Sequence, residues 1–234
     1  MTTKELTKVE KRFAKNWYEK GDMKYDPQNI DIKFIREIMG KTAYHEAGHF
    51  GANVFTDFDH DLIMSISIIP DERIYGRVRY EHSIVERYFD IYPNKYFYGY
   101  MLLLEMFAGY GAQMIHKKAK YNNLIDYLYE EQDEEWEDYS DDERLDIHRA
   151  RRIASIMSKP YWSKDKIIFR AAKWTMEMLN IPSVWNAVDT TAKILLSKGE
   201  INNENEEITD LRFSLDVPKF SNIPKWEKRL LEKK

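Results

Sequence analysis

The chain contains no cysteine, which excludes disulfide bonds, thiolate nucleophiles and cysteine-ligated metal sites. Any bound metal ion must therefore use histidine, aspartate or glutamate ligands. The chain also lacks the Gly-x-x-x-x-Gly-Lys-Ser/Thr pattern of a phosphate-binding loop. ATP-driven work of the P-loop type is thus not expected from this polypeptide.

Long apolar runs and an excess of positive charge are missing as well. The longest apolar stretch, residues 96–115, is interrupted by Glu105, Gln113 and three glycines, which predicts a buried helix rather than a membrane span. Residues 1–10 lack the apolar region of a signal peptide. The formal net charge of -4 disfavours nucleic-acid binding. We expect a soluble, cytoplasmic protein with no nucleic-acid partner and no membrane partner.

The sequence has enough apolar residues for a folded domain. It is 43% hydrophobic and 32% charged over 234 residues, as in ordinary globular proteins. Helical spacing of apolar residues recurs along most of the chain, while residues 63–69 and 75–80 have the composition of a β-hairpin. The predicted fold class is α+β, mostly α, with a small β-sheet and a helical bundle.

Composition divides the chain into three parts. Residues 1–29 form a predicted N-terminal helical arm, residues 30–202 the catalytic domain, and residues 203–234 an extended C-terminal tail that ends in a short helix. Within the domain, ten of the fourteen residues 130–143 are acidic. Such a run repels itself and favours a solvated insertion, without indicating a specific role.

The chemistry is carried by the HExxH pattern of His45, Glu46 and His49. On a helix, residues four apart lie on one face, so both imidazoles can bind one metal ion with Glu46 beside it. Neutral imidazoles suit Zn²⁺, and a third protein ligand would leave one position for water. The predicted reaction is amide hydrolysis, in which Glu46 takes a proton from an activated water and passes it to the leaving amine.

Two carboxylates compete for the place of third ligand. Asp146 shares a helical face with Ala150 and Ile153, so that its unpaired burial would be costly without a cation. It is equally explained as an acidic residue at the start of a helix. Glu105 is the alternative, either as a ligand on a separate helix or as a buried partner that orients a zinc-bound histidine.

Four stretches resemble the FtsH family of ATP-dependent zinc metalloproteases. Residues 42–49 are similar to its active-site helix, residues 65–70 to the strand beside the active site, residues 107–113 loosely to a Gly-Gly-Arg-Ala-Ala-Glu helix, and residues 146–154 to the helix that supplies an aspartate ligand. The resemblance implies a zincin-like peptidase fold with Zn²⁺ as cofactor. It also implies that Asp146 is the third zinc ligand.

The strand-like segment 63–69 is a candidate for substrate binding. An exposed strand edge can hold a peptide through main-chain hydrogen bonds with little sequence selectivity. Ser65, Ile66, Ser67 and Ile68 are therefore predicted to contact the substrate. The alternative is an ordinary core strand.

The chain departs from the family in several places. The family's ATPase motor is absent, and Gln113 and Tyr110 stand where the family pattern has glutamate and arginine. The expected function is a zinc metalloendopeptidase that cleaves flexible or unfolded proteins. Delivery of the substrate by a separate partner or ATPase is the other way in which a peptidase without a motor could work. The alternative is an inactive or weak peptidase fold that acts as a binding or regulatory protein. No feature of the sequence indicates an oligomeric state.

Overall fold

The computed structural model describes residues 6–21, 25–56, 63–71, 76–80, 95–119, 124–126, 145–160, 163–204 and 206–218. These residues form a mostly helical α+β fold with a small antiparallel sheet, which confirms the predicted class at that level. The acidic segment 130–143 lies outside the described residues. The same is true of His60 and His82.

The helices and strands follow one another in this order: α1 (Lys8–Lys20), α2 (Ile32–Thr56), β1 (Ile63–Ser67), β2 (Arg77–Tyr80), α3 (Lys95–His116), α4 (Leu145–Met157), α5 (Lys164–Leu179), α6 (Pro182–Lys198), β3 (Glu200–Asn202) and α7 (Glu207–Ser214).

Helix α2 is the centre of the fold and carries the HExxH motif. From Gly40 onward most of its residues are apolar or small, and nearly all of them are buried. Such a helix is stable only when other elements cover all of its faces. Helices α3 and α6 make the largest contacts with it, and α1 and β2 add to them.

Helices α2 and α3 cross very closely at a pair of glycines. A methyl group on Gly48 of α2 would overlap the carbonyl oxygen of Ala108 on α3. A helical glycine costs about 1 kcal/mol relative to alanine, and here the backbone contact requires it. The close approach brings the middle of α3, at Gly109, against the two motif histidines.

Helix α1 is fastened to the rest of the protein by its capping residues. Thr7 and Glu10 form a capping box at its N-terminus, and Glu10 also accepts a hydrogen bond from Arg36 of α2 at 2.6 Å. Farther along, Asn16 donates a hydrogen bond to the Pro70 carbonyl at 2.7 Å. The fully buried Phe13 completes the contact.

The sheet has the strand order β2-β1-β3, so β1 is the central strand. Ser65 pairs with Arg79 of β2 on one side and with Asn202 of β3 on the other, and Ser67 is paired on both sides too. The prediction that this segment offers a free edge is therefore wrong. The backbone of β1 pairs with β2 on one side and with β3 on the other at Ser65, Ile66 and Ser67. A substrate peptide therefore cannot add to β1 as a further strand.

The C-terminal segment differs from the predicted extended tail. Gly199 ends α6 with φ 83°, as its position in the sequence predicts, and β3 follows at once. Helix α7 then packs back on the body through the buried residues Ile208 and Leu211. Arg212 donates a hydrogen bond to Asn53 of α2 at 3.3 Å. Residues 219–234, with the predicted terminal helix, lie outside the described residues.

A search of the described helices for a long, sufficiently apolar segment finds none that would cross a membrane.

Candidate metal centre

His45 and His49 lie one turn apart on α2 and turn their rings towards the same point. Their Nε2 atoms are 3.0 Å apart, with the ring centroids 4.7 Å apart and the rings nearly perpendicular at 76°. This is the arrangement that residues i and i+4 of a helix predict. Two imidazole nitrogens thus face one small volume.

Asp146 joins the two histidines from the first turn of α4. Its Oδ2 atom lies 3.1 Å from Nε2 of His49 and 3.4 Å from Nε2 of His45. Helix α4 is held in place by its buried face, which includes Ala150 and Ile153 and packs against α3. The structure therefore brings together the three residues that the sequence offers as metal ligands, across 101 positions of chain.

The spacing of the three donor atoms fits a tetrahedral zinc ion. With Zn–N and Zn–O bonds of about 2.0–2.1 Å, neighbouring ligand atoms of a tetrahedron lie roughly 3.3 Å apart. The three distances here, 3.0, 3.1 and 3.4 Å, are close to that value. Two imidazoles with one carboxylate form a donor set that suits zinc better than magnesium or calcium, which prefer oxygen ligands.

Gly109 of α3 packs directly against the two motif histidines. A methyl group at this residue would lie 2.7 Å from Nε2 of His49 and 2.8 Å from Nε2 of His45. It would fill the space in front of both nitrogens. Only glycine at position 109 leaves room for a ligated ion while α3 packs this closely on α2.

The backbone of α3 fixes the orientation of His49. Its Nδ1 atom lies 2.8 Å from the carbonyl oxygen of Glu105, which can only accept, so Nδ1 is the donor. In the neutral ring this leaves the lone pair on Nε2, on the side of Asp146. The ring of His45 is held differently, by the edge of Tyr110 at a centroid distance of 4.8 Å.

The electrostatics of the metal-free site pair His49 with Asp146. Burial opposes charge on both groups, but Asp146 and then Glu46 raise the pKa of His49 to about 10. Against the same opposing effect of burial, His49 and His45 hold the pKa of Asp146 well below its ordinary value. Burial lowers the pKa of His45, so that its ring is neutral. A divalent cation would replace the proton of His49.

Metal affinity is therefore expected to rise with pH. Below pH 10 the metal-free protein holds a proton on His49 that the ion must displace, so each unit of pH gained raises the affinity about tenfold, or more if other protons leave. Competition with a zinc-binding dye between about pH 6 and 8 measures this slope. An affinity that does not change with pH would contradict the assigned protonation.

Glu46 is buried on the flank of the three donor atoms. Only 5% of the residue is exposed, and burial raises its pKa to about 8. Its carboxylate lies against the start of β2, where a methyl group on Gly76 would lie 2.7 Å from Oε1 of Glu46 and 2.5 Å from Cγ2 of Thr42. A bound dication favours the carboxylate form and moves the pKa down from this value. Glu46 thus offers a buried, titratable carboxyl group beside the three donor atoms.

The site is open to solvent on one side. The side chain of Asp146 is 22% exposed and that of His45 is 15% exposed, whereas His49 is 8% exposed. Asp146 and His45 therefore form the more accessible side of the centre. An ion held by these three residues would keep one further coordination position for water or a carbonyl oxygen.

The other candidates from the sequence lie elsewhere. Glu105 contacts His49 through its backbone, and among the described residues the only group found with metal-ligand spacing is the one formed by His45, His49 and Asp146. His116 stacks on Tyr44 at 3.8 Å, and His148 is exposed on α4. Ser65, Ile66, Ser67 and Ile68 belong to the central strand and its continuation.

Sequence reasoning missed the contributions of α3 and β2. Gly109, the carbonyl of Glu105 and the ring of Tyr110 define the wall opposite α2, and Gly76 defines the contact with Glu46. The glycines 109 and 111 within an otherwise apolar helix were the available signal, because a helical glycine indicates a close approach.

Comparison with protein-family models gives no matching family, and comparison with curated proteins gives no significant match.

Proposed function

We propose that the chain is a zinc metallopeptidase of the HExxH type, with His45, His49 and Asp146 as ligands and Glu46 as general base. The convergence of three donor atoms at tetrahedral spacing beside a buried glutamate carries this proposal. The order of the active-site helix, the hairpin and the aspartate helix supports a peptidase fold similar to that of the FtsH family, without its motor.

A zinc ion held by His45, His49 and Asp146 would supply a Lewis acid that makes a water acidic at neutral pH and polarises a carbonyl group. Glu46 accepts a proton from the attacking water at its carboxylate. The water oxygen then bonds to the carbonyl carbon, the carbon–nitrogen bond breaks, and Glu46 returns the proton to the leaving amine. The water is thus divided between the two products, a new carboxyl end and a new amino end of the chain.

Strand β2 is the proposed substrate-binding edge, in place of β1. It is an outer strand of the described sheet, and Gly76 at its start touches Glu46. A peptide that adds to this edge must be extended and must offer its own backbone hydrogen bonds. Flexible or unfolded segments satisfy this condition, which makes them the proposed substrate class.

Glu46→Gln is the variant that tests the general base. Glutamine has the shape of glutamate but accepts no proton, so cleavage of an unfolded protein such as casein should fall by roughly 10²- to 10⁴-fold in kcat/KM with zinc retained. Glu37→Gln is the matched control, since Glu37 is exposed on the same helix and should behave as the parent. Parent-like cleavage by Glu46→Gln would overturn the assignment.

A further inference from the structure

Strand β2 has two arginines on one face of the sheet, here called the outer face because it is opposite to the face on which Gly76 contacts Glu46. Arg77 lies opposite Ser67 of β1 and Arg79 lies opposite Ser65, so the two arginines share one face with these serines. The alternate residues Gly76 and Val78 face the other way, towards Glu46 and the hydrophobic core. The strand is therefore sided, with its charges on the outer face.

Only one of these arginines is neutralised by a described residue. Nη1 of Arg77 lies 2.7 Å from Oδ2 of Asp71, which forms an ion pair. Arg79 is exposed, and its side chain has no ion pair or hydrogen bond with any residue in the described part of the chain. A positive charge thus stands on an outer strand of the described sheet, three residues after Gly76, which packs against Glu46.

We propose that Arg79 selects substrates that carry an acidic residue three positions from the scissile bond, which makes acidic unfolded segments the preferred substrates. The proposal rests on the function proposed above. Gly76 lies against the general base, and Arg79 follows it by three residues, or about 10 Å along the strand. When a peptide pairs with β2 and its scissile bond lies at the metal centre, the peptide residue three positions from that bond lies opposite Arg79.

Because the two faces of β2 differ, the position of the acidic residue in the peptide is fixed. Side chains opposite each other on neighbouring strands point to the same face, so the selected residue lies on the outer face beside the guanidinium group. A shift of one position along the peptide turns the acidic side chain to the other face. Arg79 then no longer meets it.

Matched peptides test the selection. Two otherwise identical unfolded peptides carry glutamate or lysine three residues from the cleaved bond. One such pair has the substitution before the bond and a second pair has it after the bond, because the peptide can pair with β2 in either direction. The parent is expected to prefer glutamate on one side by about 2- to 10-fold in kcat/KM. A pair with the substitution moved by one residue should show no preference.

Charge reversal at Arg79 identifies the residue responsible. Arg79→Glu should invert the preference to lysine while zinc content stays unchanged, because the side chain is exposed and is not one of the three proposed ligands. Lys173→Glu, exposed on α5, makes the same change in net charge and should keep the preference of the parent.

The outcomes separate this inference from the function beneath it. Equal cleavage of the glutamate and lysine peptides by the parent, or an unchanged preference in Arg79→Glu, would overturn the role of Arg79 while peptidase activity stands. A zinc-loaded parent that cleaves none of the peptides would overturn both.

Discussion

Replacing Asp146 with asparagine is expected to lower zinc affinity on the order of a thousandfold. The change removes the only anionic ligand and the negative charge that faces both imidazoles at 3.1 and 3.4 Å. Removing a residue that only hydrogen-bonds to a metal ligand already lowers metal affinity by about 10- to 100-fold. Removing a ligand itself is expected to lower the affinity further. Competition with a zinc-binding dye measures the change.

Asp165→Asn is the matched control for this variant. Asp165 is an exposed acidic residue in the first turn of the neighbouring helix α5, where it has the same favourable relation to the helix dipole. If Asp146 merely stabilised the start of α4, both variants would lose a similar amount of stability and neither would lose zinc. Parent-like zinc affinity in Asp146→Asn would contradict its assignment as the third ligand.

Gly109→Ala is expected to prevent zinc binding without touching a ligand. The added methyl group would lie 2.7 and 2.8 Å from the two Nε2 atoms, in the space that the ion needs. Because the contact involves the ligating atoms themselves, relief would require α3 to move away from α2 or the rings to turn. Elemental analysis of the purified variant should find little zinc, and activity should fall with it.

Gly40→Ala is the control for the effect of replacing a helical glycine with alanine, independent of the position of Gly109. Gly40 is also in a helix, but its added methyl group would meet only Nε2 of His116, at 3.3 Å. Helix propensity favours alanine by about 1 kcal/mol, so this variant should retain zinc and be at least as stable as the parent. Full zinc occupancy in Gly109→Ala would show that the ion does not lie before this residue.

The parts of the site that lie close together in sequence were predictable. His45 and His49 share one helical face by the geometry of the helix alone, and the structure places their Nε2 atoms 3.0 Å apart. Asp146 was different, because its position depends on how α4 packs on α3, which no local pattern encodes. The resemblance to a family singled it out, and physical reasoning had left Glu105 as an alternative.

The failures concern short elements and close contacts. Strand β3 has only three residues, Glu200–Asn202, too few for an alternating pattern, and its pairing with β1 removed the predicted free edge. Helix α7 has only eight residues, and the sequence predicts an extended tail in its place. Gly109 acquires its role only where α3 crosses α2, so its function follows from tertiary packing.

Cleavage of casein before chelation, after removal of zinc and after its return tests the central claim most directly. We predict that the parent holds about one zinc ion per chain, that the metal-free chain is inactive, and that one equivalent of zinc restores cleavage. A chain that takes up one zinc ion and still leaves casein intact would contradict the peptidase assignment and leave a zinc-containing binding protein.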